Sequence, residues 1–440
     1  MIAIRLAMEQ LQSLTGTLTS ALSRPELNLA AHLPPRQPLS DRWPLLAFGL
    51  LAIYTISYLV HIPPPSGVKQ DEKHPTAQMA CYALLPVAVG LPLWFWLTVD
   101  FSRETTQWAA RGNVVFTVLC SSIRWTFSST RPSYHPLTRP PFFASIRRTR
   151  AFQALNLPLM EYRLHGLTQY SPPYSPSNQR YLPSVINHLS HFLLRLVLFD
   201  ALTLLIHVLD PMNLGIMAER VVPGNWDQGM TTMSQNTGIP RWLMPVFMSA
   251  VSSVIIYAGV GVGWDQHALM AVGSGLWAPE ERPKVMDAPW KSQSLNELWG
   301  RRYHTYLRNV FHNLTLPLAF LPRAFHIPRI FLGSALHHSL LIYPFTGTFS
   351  LRANLAQYML LGLGCALERA YYKATGKKVG GMAGRVWTWT IFLWSCYHGT
   401  KGWYEAGWPQ RYRCDLEEAS PVMAVLRAVG WDKQAKVKGD

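Results

Sequence analysis

Long apolar runs, broken by short polar and proline-rich stretches, dominate this chain. The first runs from Trp43 to Ile62 and stops at Pro63, Pro64 and Pro65. About 20 apolar residues are enough for a helix to cross the hydrocarbon core of a bilayer. The second, Thr76 to Val99, contains Pro86 and Pro92 and ends at Asp100, Arg103 and Glu104. Proline is tolerated in membrane helices, where neighbouring groups satisfy the freed carbonyls. Residues 112–127 form a shorter apolar stretch, read as a half-span or an interfacial helix. Residues 184–209 are strongly apolar, followed by Trp242 to Val262 and, past Asp265, a separate piece from Ala268 to Trp277. Phe311 to Leu321, Arg329 to Phe345, Leu351 to Tyr371 and Val386 to Tyr397 complete the series. The pattern predicts an all-α, polytopic transmembrane helical bundle with roughly seven to nine embedded helices.

The polar stretches set the expected boundaries. Residues 1–40 read as a surface or disordered N-terminal segment; Glu9, Arg24 and Glu26 interrupt any signal-peptide core. Residues 41–410 read as one transmembrane domain, and 411–440 as a polar tail whose short apolar piece, Val422 to Val429, suits the membrane surface. Residues 171–183, 211–240 and 278–309 read as loops.

Composition agrees with the pattern. Charged residues make up 15% of the chain, well below the level usual in soluble proteins, and hydrophobic residues 49%. The 17 Trp suit the boundary between hydrocarbon and headgroups. A net charge of +16 on a soluble protein would suggest nucleic acid. Here the basic residues lie between apolar segments, as in the run Arg131, Arg139, Arg147, Arg148 and Arg150. That placement suits a cytoplasmic loop and attraction to anionic lipid, so the bilayer is the expected partner and nucleic acid is not. Cys81, Cys120, Cys365, Cys396 and Cys414 are scattered without a CxxC, which suits reduced thiols. No metal site is expected: His337-His338 is the one adjacent His pair, and the repeated His boxes of a di-iron hydroxylase are missing.

Charges inside the apolar runs demand a partner. Residues 184–209 carry His188, His191, Arg195 and Asp200. An Arg and an Asp at that depth face protein or water rather than lipid. The expectation is an internal ion pair that holds the bundle together, with a place in a substrate cavity as the alternative.

Two segments carry candidate chemistry. The first, Ser294-Leu295-Asn296-Glu297-Leu298-Trp299-Gly300-Arg301-Arg302-Tyr303-His304, precedes an apolar stretch and belongs at the membrane surface. Ser294 and Glu297 match the S-x-x-E helix-capping pattern, and an Arg pair suits bidentate phosphate binding as well as a headgroup or intrahelical contact. The second, Phe331-Leu332-Gly333-Ser334-Ala335-Leu336-His337-His338, lies inside an apolar run. A neutral imidazole there can accept a proton from an alcohol. Ser334 and His338 stand at i, i+4 and share a helix face, so the serine hydroxyl is placed to orient the ring. His337 points about 100° away.

These residues resemble the wax synthase branch of the membrane-bound O-acyltransferase (MBOAT) superfamily. The first segment is similar to that family's S-L-x-x-F-W-G-R-R-W-H, through Leu295, Trp299, Gly300, Arg301, Arg302 and His304; Leu298 replaces Phe and Tyr303 replaces Trp. Pro289, Trp290 and Ser292 upstream also look like the family. The second is similar to F-x-x-S-G-x-x-H through Phe331, Ser334 and His338, with Ala335 in place of Gly. The resemblance is sharp over residues 283–345. The whole chain looks most like fungal members that acylate small molecules of secondary metabolism, often with acetyl groups.

The resemblance implies an integral multi-pass membrane enzyme, in the endoplasmic reticulum, with a catalytic tunnel in the membrane. It would move an acyl group, acetyl above all, from acyl-CoA to a hydroxyl of a lipophilic alcohol such as a terpenoid or polyketide. His338 would be the base, with His337 as its rival. His304 would donate to the thioester carbonyl, Arg301 and Arg302 would meet the phosphates of coenzyme A, and Ser334, Trp299 and Tyr303 would support them. Acyl-CoA is a co-substrate, and no permanently bound cofactor is implied. A fatty-acyl transferase making wax esters is the alternative within the family, and a membrane transporter is the alternative outside catalysis.

Overall fold

The computed structural model describes most of residues 35–407. Residues 1–32, 34, 65, 67–68, 70, 102–106, 135–141, 161–180, 210–223, 283, 304–306, 316–317, 319, 323–324, 408–421 and 423–440 lie outside the described residues. So the expectations for the N-terminal segment, for much of the 171–183 loop and for nearly all of the C-terminal tail fall outside them.

The described chain is all-helical, with no strand among the described residues. The principal helices are α1 (Leu39–Leu59), α2 (Pro75–Thr98), α3 (Gln107–Phe127), α4 (Arg150–Met160), α5 (Tyr181–Leu209), α6 (Trp226–Thr237), α7 (Met244–Gly273), α8 (Arg308–Leu314), α9 (His326–Thr346), α10 (Leu351–Thr375) and α11 (Gly381–Glu405). Four of them are long and apolar enough to cross a membrane: α1, α2, α5 over Tyr181–Ile206, and α7. These helices keep most of their apolar surface facing outward, with Phe48, Leu51, Val87, Leu194 and Val254 exposed. A soluble protein would bury such a surface, whereas hydrocarbon accepts it.

The remaining long helices are more polar. At about 1.5 Å per residue α9, α10 and α11 also match a bilayer in length, but α9 carries Arg329 and three His, and α10 and α11 carry charged residues toward both ends, Arg352 and Glu368 on the first and Arg385 and Lys401 on the second. They pack against one another in sequence and form the part of the core that holds both motifs. Short connections make α9, α10 and α11 antiparallel neighbours. Gly347 and Gly376, at φ 72° and 69°, end the first two of these helices in left-handed caps.

Two sequence expectations change. The apolar pieces Trp242–Val262 and Ala268–Trp277 belong largely to one helix, α7, which runs straight through Asp265. The acid is tolerated because α5 supplies its partners: Arg195 Nη1 lies 2.5 Å and His188 Nδ1 3.0 Å from its carboxylate. Arg195 therefore pairs across helices with Asp265 and not with Asp200 on its own helix. Asp200 instead accepts from the backbone N–H of Val422 at 3.1 Å. Gly261 permits this arrangement, since a Cβ there would lie 2.4 Å from Cδ of Arg195. Residues 226–237, expected within a loop, form α6. Asn225 accepts from the N–H of Gln228 at its start, and Gly238 closes it at φ 72°.

Candidate functional site

The first motif is built around an unusual turn. Ser294 Oγ accepts from the N–H of Glu297 at 3.0 Å, as the capping pattern predicts. The Glu297 carboxylate reaches back one residue further than expected, to the N–H of Gln293 at 2.9 Å. Only one α-helical turn forms, Leu295–Glu297, before the chain widens into a π-helical turn over Leu298–Arg302. The N–H of Tyr303 closes that turn on the carbonyl of Leu298 at 2.7 Å. Such wide turns are rare and are frequent at functional sites.

An acid from α10 anchors the motif. Glu368 accepts from the N–H groups of Leu295 and Asn296 at 2.7 and 2.9 Å, from the Asn296 side chain at 2.8 Å and from Trp387 Nε1 at 3.0 Å. Leu295 fits against Gly364 one turn earlier on α10, where a Cβ would lie 2.4 Å from Cδ1 of Leu295.

The two arginines have different surroundings. Arg302 Nε donates to Glu297 at 2.7 Å, and its Nη1 donates to the Asp287 carbonyl at 3.1 Å with the Asp287 carboxylate at 3.5 Å. These contacts tie the loop before the motif to its end. Arg301 is exposed. His304, the expected donor to the thioester, lies outside the described residues.

Aromatic rings join the first motif to the second. Trp299 meets Tyr303 edge-on at 5.2 Å between centroids and Phe331 at 6.0 Å. Both Trp299 and Tyr303 also approach Phe392 of α11. On α9, residues 331, 334 and 338 stand at i, i+3 and i+7, which places Phe331, Ser334 and His338 along one face. That face meets α10 and α11.

His338 is 8% exposed. Its Nδ1 lies 2.8 Å from the backbone carbonyl of Ser334. A carbonyl only accepts, so Nδ1 carries the proton in this contact, and in the neutral ring Nε2 keeps its lone pair. The serine thus orients the imidazole through its carbonyl rather than, as expected, through its hydroxyl. The imidazole lies nearly parallel to Tyr358 at 4.6 Å and to Trp403 at 6.1 Å between centroids.

His337 is fully enclosed, at 0% exposure. Phe116 stands edge-on to it at 5.0 Å, and Phe311 lies 5.5 Å away. Of the two neighbouring rings, His338 has the greater access.

Sequence reasoning missed the groups that hold the His338 environment in place. Trp403 Nε1 donates to Asn354 Oδ1 at 2.9 Å, and Asn354 Nδ2 donates to Ser339 Oγ at 3.0 Å and to the Ser350 carbonyl at 2.9 Å. The amide thereby links α9, α10 and α11 beside the histidine. An Asn and a Trp in apolar helices have no spacing that marks such a network in advance. No group of three or more His, Cys, Asp or Glu placed to hold a metal occurs among the described residues.

No protein-family model matches the chain, and no curated protein matches it.

Proposed function

We propose that the protein is a multi-pass membrane O-acyltransferase that moves an acyl group, acetyl above all, from acyl-CoA to the hydroxyl of a lipophilic alcohol of the terpenoid or polyketide kind. The observation that carries this reading is the contact of His338 Nδ1 with the Ser334 carbonyl. Nδ1–H is held by the Ser334 carbonyl, which leaves Nε2 as a proton acceptor on a ring surrounded by Tyr358 and Trp403. The resemblance of the two motifs supplies the reaction class.

In the proposed step the acceptor O–H gives its proton to Nε2 of His338 as the oxygen bonds to the thioester carbonyl carbon. The C–S bond then breaks, and the departing thiolate takes the proton from the imidazolium. The products are an ester and free coenzyme A. No acyl-enzyme is needed, and exclusion of water removes the competing nucleophile. His304 would donate to the carbonyl oxygen as charge develops there. Arg301 would meet a coenzyme A phosphate from the surface, and Arg302 would shape the loop that presents it. The four apolar helices support a membrane location; seven to nine embedded helices, a tunnel reaching His338 and residence in the endoplasmic reticulum belong to the proposal.

Membranes containing the protein, incubated with labelled acetyl-CoA or palmitoyl-CoA and a panel of alcohols, test this. Label is expected in an ester from acetyl-CoA. Ester formed only from palmitoyl-CoA would favour a wax ester synthase, and transfer from neither donor would contradict the proposal.

A further inference from the structure

On the opposite side of α9 from His338 lies a cluster of one arginine and two histidines that acyl transfer does not use. Arg329 is 8% exposed. Its Nη2 lies 3.3 Å from Nε2 of His312 on α8, and its Nε has no hydrogen-bond partner among the described residues. The rings of His312 and His326 are 5.9 Å apart between centroids, and both are half-buried. Among the described residues no carboxylate forms an ion pair with Arg329. The sequence explains why none comes from nearby: no Asp or Glu occurs between Glu297 and Glu368. A buried guanidinium without a counter-charge is costly. The cluster also sits at the start of α9, whose first turn has no side-chain cap. The positive end of the helix therefore adds to the same field.

We infer that Arg329, His312 and His326 form a binding site for a phosphate group, with the guanidinium as its buried anchor. A planar guanidinium with a free Nε–H suits the oxygens of a phosphate. The half-buried imidazoles leave an approach for the ligand. Residues 329 and 338 are nine apart, which turns them about 180° around the helix axis. The site is thus separate from the imidazole proposed as the base, and the inference does not rest on acyl transfer. The phosphate belongs either to a phospholipid headgroup or to a soluble cofactor such as coenzyme A.

Full-length protein, purified in detergent and stripped of lipid, distinguishes the sources through two matched pairs. Phosphatidic acid is compared with diacylglycerol, and coenzyme A with pantetheine, by native mass spectrometry. Wild type is expected to prefer the phosphate-bearing member of at least one pair. Arg329→Gln is expected to reduce that preference at least about tenfold, the scale of one lost charge-assisted contact. Binding of the phosphate-free member should not change. A response in the lipid pair assigns the site to a headgroup, and one in the coenzyme A pair to the cofactor. The inference is overturned if wild type shows no preference in either pair, or if monodisperse Arg329→Gln keeps it. Should Arg329→Gln aggregate, Arg329→Lys decides. It keeps the charge but loses the planar fork, and an unchanged preference in that variant also overturns the site.

Discussion

The chemistry proposed for this protein depends on which nitrogen of one imidazole carries the proton. A histidine on an apolar helix face can be a core residue satisfied on both nitrogens. His338 donates through Nδ1 to the carbonyl four residues earlier, and the adjacent His337 is sealed among Phe116 and Phe311. Trp403 holds its place by donating to Asn354. Trp403→Phe keeps a ring beside His338 but leaves Asn354 Oδ1 unpaired, a change that costs about 1–3 kcal/mol for a buried acceptor. The variant is expected to lower kcat while leaving KM for acyl-CoA nearly unchanged, because it disturbs the proposed base and not donor binding. A rise in KM with unchanged kcat would assign Trp403 to the substrate instead. At this scale the sequence showed His338, Ser334 and His337 through their spacing. It did not show Asn354, Tyr358 and Trp403, because their roles come from contacts across three helices.

At the scale of elements, the turn at Ser294 shows how far local pattern reaches. The capping residue was legible; the early switch from an α to a π turn was not, because it depends on Glu368, 70 or so residues further along, gripping two successive N–H groups. Glu297 has a second role in this turn. Burial works to raise the pKa of its carboxyl, but hydrogen bonds from the Gln293 N–H and from Arg302 hold it below the usual carboxylate range. A folded-state pKa below the unfolded value means the carboxylate adds stability above the unfolded pKa of about 4.3 and loses it as pH falls through the folded value. Melting temperatures followed from pH 7 downward are expected to fall less steeply below pH 4.3 in Glu297→Gln than in wild type. Identical slopes would remove Glu297 from the acid response.

At the scale of the whole molecule, the apolar runs gave the helical class and the approximate limits of α1, α2 and α5, since a run of that length has few other fates. They misplaced the end of the apolar segment around Asp265, because hydropathy treats an acid as a break when its partner lies on another helix. The same limitation turned Arg195 and Asp200 into an expected pair on one helix. α6 was hidden by its polar composition, although Asn225 and Gly238 mark both its ends. The resulting His188–Arg195–Asp265 group links two apolar helices through charge. Asp265→Asn would strand a buried guanidinium, and removal of one partner of such a pair typically costs about 3–5 kcal/mol. Lower melting temperature and poorer recovery after detergent extraction are expected, and wild-type stability in this variant would contradict the structural role.

The most direct test of the account is the rate of ester formation by His338→Gln beside wild type, at equal amounts of membrane-inserted protein and with the donor and alcohol that wild type accepts. Loss of general-base action predicts a fall of about 10²–10⁴-fold, while His337→Gln retains most of the activity. Wild-type turnover by His338→Gln, or a collapse confined to His337→Gln, would contradict it.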